Sequence, residues 1–421
     1  MSHGSFYKNM FWQYGLQILK YLFPLLLVPY LARVLGTDGY AVYAYVLSFM
    51  GVIQTIADFG FTLSGTKKVV ESGKDKVATS KLVGNITAAR LMLVFFLAIA
   101  VLAIAQYIPI MAENLPYVML AFVAVVLRAL LPDFVFQGYE QMGSLTTRYF
   151  ASKGLMVGLT LLFVHSASDL LFVAIADIAG GAVGLVWSFA AMGWKFGVKI
   201  CMPTLSQSVR EFRDSAIYCV SNVSSSLFSG FTTLIIGLAI TSKTEIAFWS
   251  LALTTVSAVQ ALYAPISNSL YPHMLNNRDF GFVRKLAVRA LPALLAGTAA
   301  YCALSEPIML VLGGEDYVGG AYVMRLISPV LVFSFYSILI GWPVLGAMGH
   351  VRELTASTVF TGVANVIGLL VLYLTGMATL DAICVVRWVT DALLLAARAF
   401  VLWRILFTDR GGRASNVEGR L

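Results

Sequence analysis

The sequence predicts an all-α polytopic membrane protein, with about twelve transmembrane helices in two pseudo-symmetric six-helix lobes. Three observations carry this reading. Of the 421 residues, 59% are hydrophobic and only 12% charged, and the mean hydropathy is +0.83, far above that of a soluble domain. The apolar runs are roughly 18 to 30 residues long, enough for helices crossing about 30 Å of hydrocarbon, whereas barrel strands alternate over about ten. The longest polar interruption, KFGVKICMPTLSQSVREFRDS from Lys195 to Ser215, falls midway along the chain and divides it in two.

The first run lies in MSHGSFYKNMFWQYGLQILKYLFPLLLVPYL. Its head is weakly basic, it has no small-residue cleavage site, and it is too long for a removable signal, so it reads as an uncleaved span near 9–34. Asn9, Gln13, Gln17, Lys20 and Pro24 recur every three or four residues and share one narrow face. An ammonium near mid-membrane costs a few kcal/mol, so Lys20 should face water, a partner or an anionic ligand; the alternative is a polar face packed on another helix. The second helix, near 40–65, carries Gln54 and Asp58 one turn apart, and the third, near 82–108, carries Arg90. The fourth, near 115–140, ends in VLRALLPDFVFQGYEQM, where Asp133, Gln137 and Glu140 share a face. Pro132 predicts a kink there that leaves Arg128 at the depth of a wet vestibule. A salt bridge from Arg128 to Asp133 or Asp58 is the competing reading. The fifth and sixth helices follow near 147–165 and 169–194.

The seventh helix, near 214–240, contains the serine-rich SNVSSSLFSGFTT. A shift of about 205 residues lays Tyr218, Asn222, Ser225 and Ser229 over Gln13, Gln17, Lys20 and Pro24, as expected for parallel repeats related by an axis along the membrane normal. Small residues also permit close helix contact, so packing is an equal alternative for the serines. In the eighth helix, near 245–275, Gln260, Tyr263 and Ser267 share a face, and Pro265 and Pro272 predict bends. The remaining spans lie near 285–312, 320–346, 353–374 and 380–406; Arg325 near the outer end of the tenth can snorkel. On the last, Arg387 and Asp391 are one turn apart with Arg398 on the same side, a self-neutralising pair or a gating element.

The organisation that follows is an N-lobe at 1–195, a cytoplasmic linker at 196–213, a C-lobe at 214–406 and a cytoplasmic tail at 407–421. Connections on the side of the N-terminus are rich in Lys and Arg, Arg148 and Lys153 being counted among them, while the opposite connections hold Lys243 alone. The positive-inside rule therefore places both termini in the cytoplasm. The formal charge of +8 is a topology signal and does not point to nucleic acid. Cys201, Cys219, Cys302 and Cys384, with His3, His165, His273 and His350, have no metal-ligand spacing, so no metal and no cofactor are expected. An enzyme acting on lipid-linked sugars would need acidic metal-binding motifs or a large outer loop. Within the spans Lys20, Arg90, Arg128 and Arg387 confront Asp58, Asp133, Asp177 and Asp391. The deepest pair, Lys20 and Arg128, is basic, which suits a phosphate-bearing ligand in low dielectric.

The segments LFPLLLVPYLARVLGTDGYAVYAYVLSF, IADFGFTLSGTKKV and PDFVFQGYEQM resemble those of Wzx-type O-antigen and oligosaccharide-lipid flippases in the multidrug/oligosaccharidyl-lipid/polysaccharide (MOP) exporter superfamily. The likeness covers the first third of the chain; beyond it, only the helix count and APISNSLYPHM agree. The resemblance implies a MATE-like fold in a bacterial inner membrane. It also implies alternating-access transport of undecaprenyl-pyrophosphate-linked oligosaccharide to the periplasmic leaflet, with coupling to a proton or sodium gradient a further option. A polysaccharide polymerase and a chain-length regulator are candidate partners. By similarity Lys20, Asp58, Arg90 and Arg128 are cavity residues. Lys20 and Arg128, aided by Arg90, would hold the pyrophosphate, and Gln13, Gln17, Asn222 and Ser225 the sugar. Asp58, Asp133, Arg387 and Asp391 would serve coupling or gating. The rival is a cation-coupled multidrug exporter of the same superfamily, which would place acidic and aromatic residues deepest.

Overall fold

Gly36 interrupts the first helical run, α1 (His3–Asp58), at φ 66° and ψ −176°, a conformation open in practice only to glycine. The break falls in the turn expected between the first two spans. A second interruption follows within the predicted second helix. Phe59 (φ 47°) and Gly60 (φ 76°) both take left-handed conformations, and α2 (Phe61–Glu71) starts immediately after them. The helix therefore stops at Asp58, seven residues short of the predicted end. α3 (Lys76–Tyr107) is capped by the Asp75 carboxylate, which accepts from the Ala78 amide at 2.8 Å. α4 (Leu115–Ala129) and α5 (Asp133–Gly138) replace the single fourth helix, with Pro132 between them. α6 (Met142–Phe163) and α7 (Leu170–Ala191) follow, the latter preceded by a reciprocal cap between Ser166 and Asp169.

The computed structural model describes residues 3–418 except 264, 265, 268, 269, 272, 273 and 275–278, and no side chains at 3–10, 21, 25, 217, 218, 220–231 and 407–418. α8 (Leu205–Ala239) and α9 (Lys243–Ala261) continue the chain. α10 (Phe280–Ala303), α11 (Ser305–Gly313), α12 (Ala321–Ile327), α13 (Pro329–Ile340), α14 (Val351–Leu374) and α15 (Leu380–Glu418) follow. Among the described residues there is no strand, and seven helical stretches are long and apolar enough to cross a membrane.

Packing separates a first unit, Met1–Ala247 with Leu312–Asp316, from a second, Phe248–Val311 with Tyr317–Leu421. In the first, α7 packs on α4 and α6, while α1 lies against α4, α6 and α8. The α6–α7 contact is close. Ser152 donates to the Gly180 carbonyl at 2.6 Å, and a Cβ at Gly180 would lie 2.4 Å from the Ser152 carbonyl oxygen. In the second unit α15 packs on α12, α13 and α14. The polarity of both surfaces and interior is that of a protein in hydrocarbon. Val186 and Phe96 are 70% and 65% exposed, whereas Arg90 and Arg148 are 2% and 7% exposed.

Candidate functional site

Among the described residues of the first unit, three ion clusters centre on an arginine, and each joins different helices. The first is built on the two helix interruptions. Arg90 on α3 donates from Nη2 to the Asp58 carboxylate (3.0 Å) at the end of α1, and from Nη1 to the Leu131 carbonyl (2.8 Å) in the gap between α4 and α5. Its guanidinium lies 5.8 Å and 5.9 Å from the ring centres of Phe61 and Phe134, the residues that follow the two gaps. Thr62 also donates to Asp58 at 2.5 Å. A gap in a helix leaves carbonyls without intrahelical donors, and here one arginine satisfies a carbonyl of one gap and a carboxylate of the other.

The second cluster pairs Arg148 on α6 with Asp133 at the first turn of α5 through both guanidinium nitrogens, and Arg148 also donates to Ser188 at 3.3 Å. The carboxylate sits at the helix N-terminus, where the dipole favours it.

The third differs in charge. Asp177 on α7 accepts from Arg128 Nη1 (2.5 Å) and from Lys153 Nζ (2.8 Å), and Arg128 Nε donates to Gln54 (3.2 Å). Two cations share one carboxylate, so the cluster carries a surplus positive charge where the other two are neutral. It is also open: the side chains of Arg128, Lys153 and Asp177 are 26%, 22% and 17% exposed. Arg128 and Asp177 line a cavity of about 30 Å³, which Tyr43, Tyr117 and Met156 help to close. A partly accessible site with an extra cation beside aromatic hydroxyls can bind an anion, and the planar arginine fork matches a phosphate.

The sequence placed Arg128 against Asp133 or Asp58 as its competing reading. The structure gives each of those carboxylates another arginine and gives Arg128 to Asp177. Arg148 and Lys153, counted among basic connections, are on a helix that starts at Met142 and are both ion-paired. Hydropathy had started that helix at 147; the polar turn GSLTTR hid its first residues. Lys153 lies inside the helix that hydropathy predicts near 147–165 and is nevertheless counted there with the basic connections; its pairing with Asp177 on another helix is what the sequence does not show.

Gln13, Gln17, Lys20 and Pro24 are all exposed along one face of α1, as the stripe requires. Among the described residues Lys20 has no ion pair, and it does not line the cavity around Arg128. The side chains of Asn222 and Ser225 on α8 lie outside the described residues, as do Pro265 and Pro272. Glu140, at φ 58°, is 3.5 Å from Lys74. In the second unit Arg387 and Asp391 approach to 3.5 Å, one turn apart on α15, and Arg398 donates to the Ser337 carbonyl (2.6 Å) and to Thr358 (3.1 Å). Among the described residues no group of His, Cys, Asp and Glu could hold a metal ion.

The sequence model of the family described as polysaccharide biosynthesis protein matches residues 6–277. A candidate O-antigen transporter of Escherichia coli (strain K12) is 23% identical over 375 residues, 86% of this chain and 89% of the relative. Among solved structures, an inward-facing multidrug resistance MATE family transporter of the MOP superfamily aligns with a TM-score of 0.71 at 13% identity, over 94% of this chain and 96% of that one. The lipid II flippase MurJ in an inward closed conformation aligns with a TM-score of 0.73 at 13% identity, over 94% and 87%. The chain is a multi-pass membrane protein with the fold of the MOP superfamily transporters, and it belongs to the polysaccharide biosynthesis protein family.

Proposed function

We propose that this protein is a flippase for lipid-linked oligosaccharide, moving undecaprenyl-pyrophosphate-linked repeat units from the cytoplasmic to the periplasmic leaflet of a bacterial inner membrane by alternating access, for O-antigen or a related surface polymer. Both termini are then cytoplasmic. The observation that carries the reading is the surplus cation of the Arg128, Lys153 and Asp177 cluster, accessible beside a small cavity within a family of polysaccharide biosynthesis proteins. The resemblance to an O-antigen transporter and the fold in common with a lipid II flippase support the same substrate class.

A pyrophosphate and its sugars cannot enter hydrocarbon, whereas the polyprenyl tail need not leave it. In this reading Arg128 with Lys153, and Lys20 from the exposed face of α1, attract the pyrophosphate. Gln13, Gln17, Asn222 and Ser225 offer exchangeable hydrogen bonds to sugar hydroxyls. Arg90, enclosed between Asp58 and Leu131, acts by holding the two helix gaps in place. Asp133, through Arg148, does the same for the start of α5. Arg387 and Asp391 serve gating in the second unit, and Asp58 and Asp391 are the candidates for proton or sodium coupling. With the cytoplasm negative, outward movement of an anion is favoured by about 2.3 kcal/mol per charge per 100 mV.

The test is transport in vesicles holding the purified protein, with a fluorescent lipid-linked oligosaccharide and a cationic dye offered separately. The oligosaccharide should cross, and Lys20→Gln and Arg128→Gln should each abolish crossing at unchanged protein content. Passage of the dye alone would favour the multidrug exporter, and unimpaired transport in both variants would remove these residues from the site.

A further inference from the structure

We infer that the segment from Trp194 to Arg213 is a docking surface for anionic phospholipid headgroups, seating the first unit on the cytoplasmic leaflet. The segment exposes large apolar side chains to a degree unusual for a soluble loop. Trp194 is 88% exposed and Met202 96%, and Ile200, Leu205 and Val209 are each more than half exposed. The exposure belongs to a fixed backbone. Lys199 N donates to Ser80 Oγ (3.1 Å), Thr204 N donates to Asn85 Oδ1 (3.1 Å), and Asn85 donates in turn to Gln207 (2.9 Å). Gly84 lies so close to the strand of chain above it that a Cβ there would meet the Cys201 carbonyl oxygen at 2.1 Å. At the first turns of α8, Ser208, Glu211 and Ser215 face inward, and Ser215 shares a 2.6 Å hydrogen bond with Ser64. That leaves Leu205, Val209 and Arg213 together on the outer face.

Charge decides what this face meets. The inward-facing Glu211 and, just beyond the segment, Asp214 both bind Lys68 at 2.7 Å. Lys195, Lys199, Arg210 and Arg213 are exposed, and among the described residues no carboxylate lies within ion-pair distance of any of them. Exposed Lys76 and Lys81 at the start of α3 extend the basic surface. Tryptophan with aliphatic side chains, interspersed with exposed cations that make no salt bridge among the described residues and pinned at the end of membrane-spanning helices, is the composition of a segment lying in the headgroup layer of an anionic leaflet.

The full chain is placed in nanodiscs containing brominated phosphatidylglycerol or brominated phosphatidylcholine at equal mole fraction, and the Trp194 contribution is isolated by subtracting the emission of Trp194→Phe. Brominated phosphatidylglycerol should quench Trp194 more strongly than brominated phosphatidylcholine. The ratio of association constants for the two lipids, fitted from quenching against mole fraction, should fall by up to about fivefold for each charge removed across Lys199→Gln, Arg210→Gln and Arg213→Gln, and should shrink as salt is raised. Circular dichroism and elution volume of the triple variant establish that it is folded. Equal quenching by the two lipids would overturn the charge selection. Absence of quenching by either would place the segment in water or beneath a protein partner, and would overturn the proposal entirely; neither result bears on which substrate crosses.

Discussion

Replacing Asp177 by Asn removes the one carboxylate that Arg128 and Lys153 share. Both cations approach it within hydrogen-bond distance, 2.5 Å and 2.8 Å, from opposite oxygens. Without the negative charge the two cationic heads face each other at about 5 Å, a repulsion of about 3 kcal/mol at an effective dielectric near 20. Loss of one partner from a buried ion cluster costs about 3–5 kcal/mol, and the partial exposure of these side chains shifts the expected loss downward, to about 2–4 kcal/mol. For a unit of this size that is a fall of roughly 5–10 °C in the midpoint of heat-induced loss of the monodisperse peak on size exclusion. The compensating variant is Asp177→Asn with Lys153→Met, which leaves one cation and no carboxylate. It preserves the surplus charge and should recover at least about half of the loss, while Lys153→Met alone should be milder than Asp177→Asn. An Asp177→Asn protein as stable as the parent, or a double variant no better than the single, would show that the three side chains do not act as one electrostatic unit.

Two other sites give independent outcomes. Arg90→Met strands the Asp58 carboxylate and the Leu131 carbonyl at the two helix gaps, so folded yield and thermal midpoint should drop by the equivalent of about 3–5 kcal/mol; adding Asp58→Asn should restore part of it, since the uncompensated charge is then gone. Gly180→Ala places a methyl 2.4 Å from the Ser152 carbonyl oxygen, about 1 Å inside ordinary contact, and separating α6 from α7 to admit it should cost about 1–3 kcal/mol in the same assay. Gly158→Ala, where nothing lies within 4 Å, is the matched control and should be near neutral.

Each element shows how far the amino-acid order reaches. Pro132 announced the break between α4 and α5, because a proline ring removes a helical donor wherever it is placed. The break at Phe59 and Gly60 was not legible, since a phenylalanine before a single glycine is ordinary inside an apolar helix and only the Arg90 contact to Asp58 makes a chain end useful there. Arg387 and Asp391 were readable as neighbours because their spacing alone brings them together on one helix.

Composition and the length of its apolar runs determined by themselves that this chain is a helical membrane protein, because hydrocarbon admits only segments that satisfy their own backbone. Helical periodicity likewise put Gln13, Gln17 and Lys20 on one exposed face of α1. The tertiary structure alone decided which carboxylate each buried cation meets. Arg90, Arg128 and Arg148 find their partners 32, 49 and 15 residues away, on other helices. Periodicity sets the direction of a side chain about its own axis and says nothing about which helix stands opposite, so the neutral Arg90 and Arg148 pairs and the Arg128 cluster with its extra cation could be told apart only once the helices were packed.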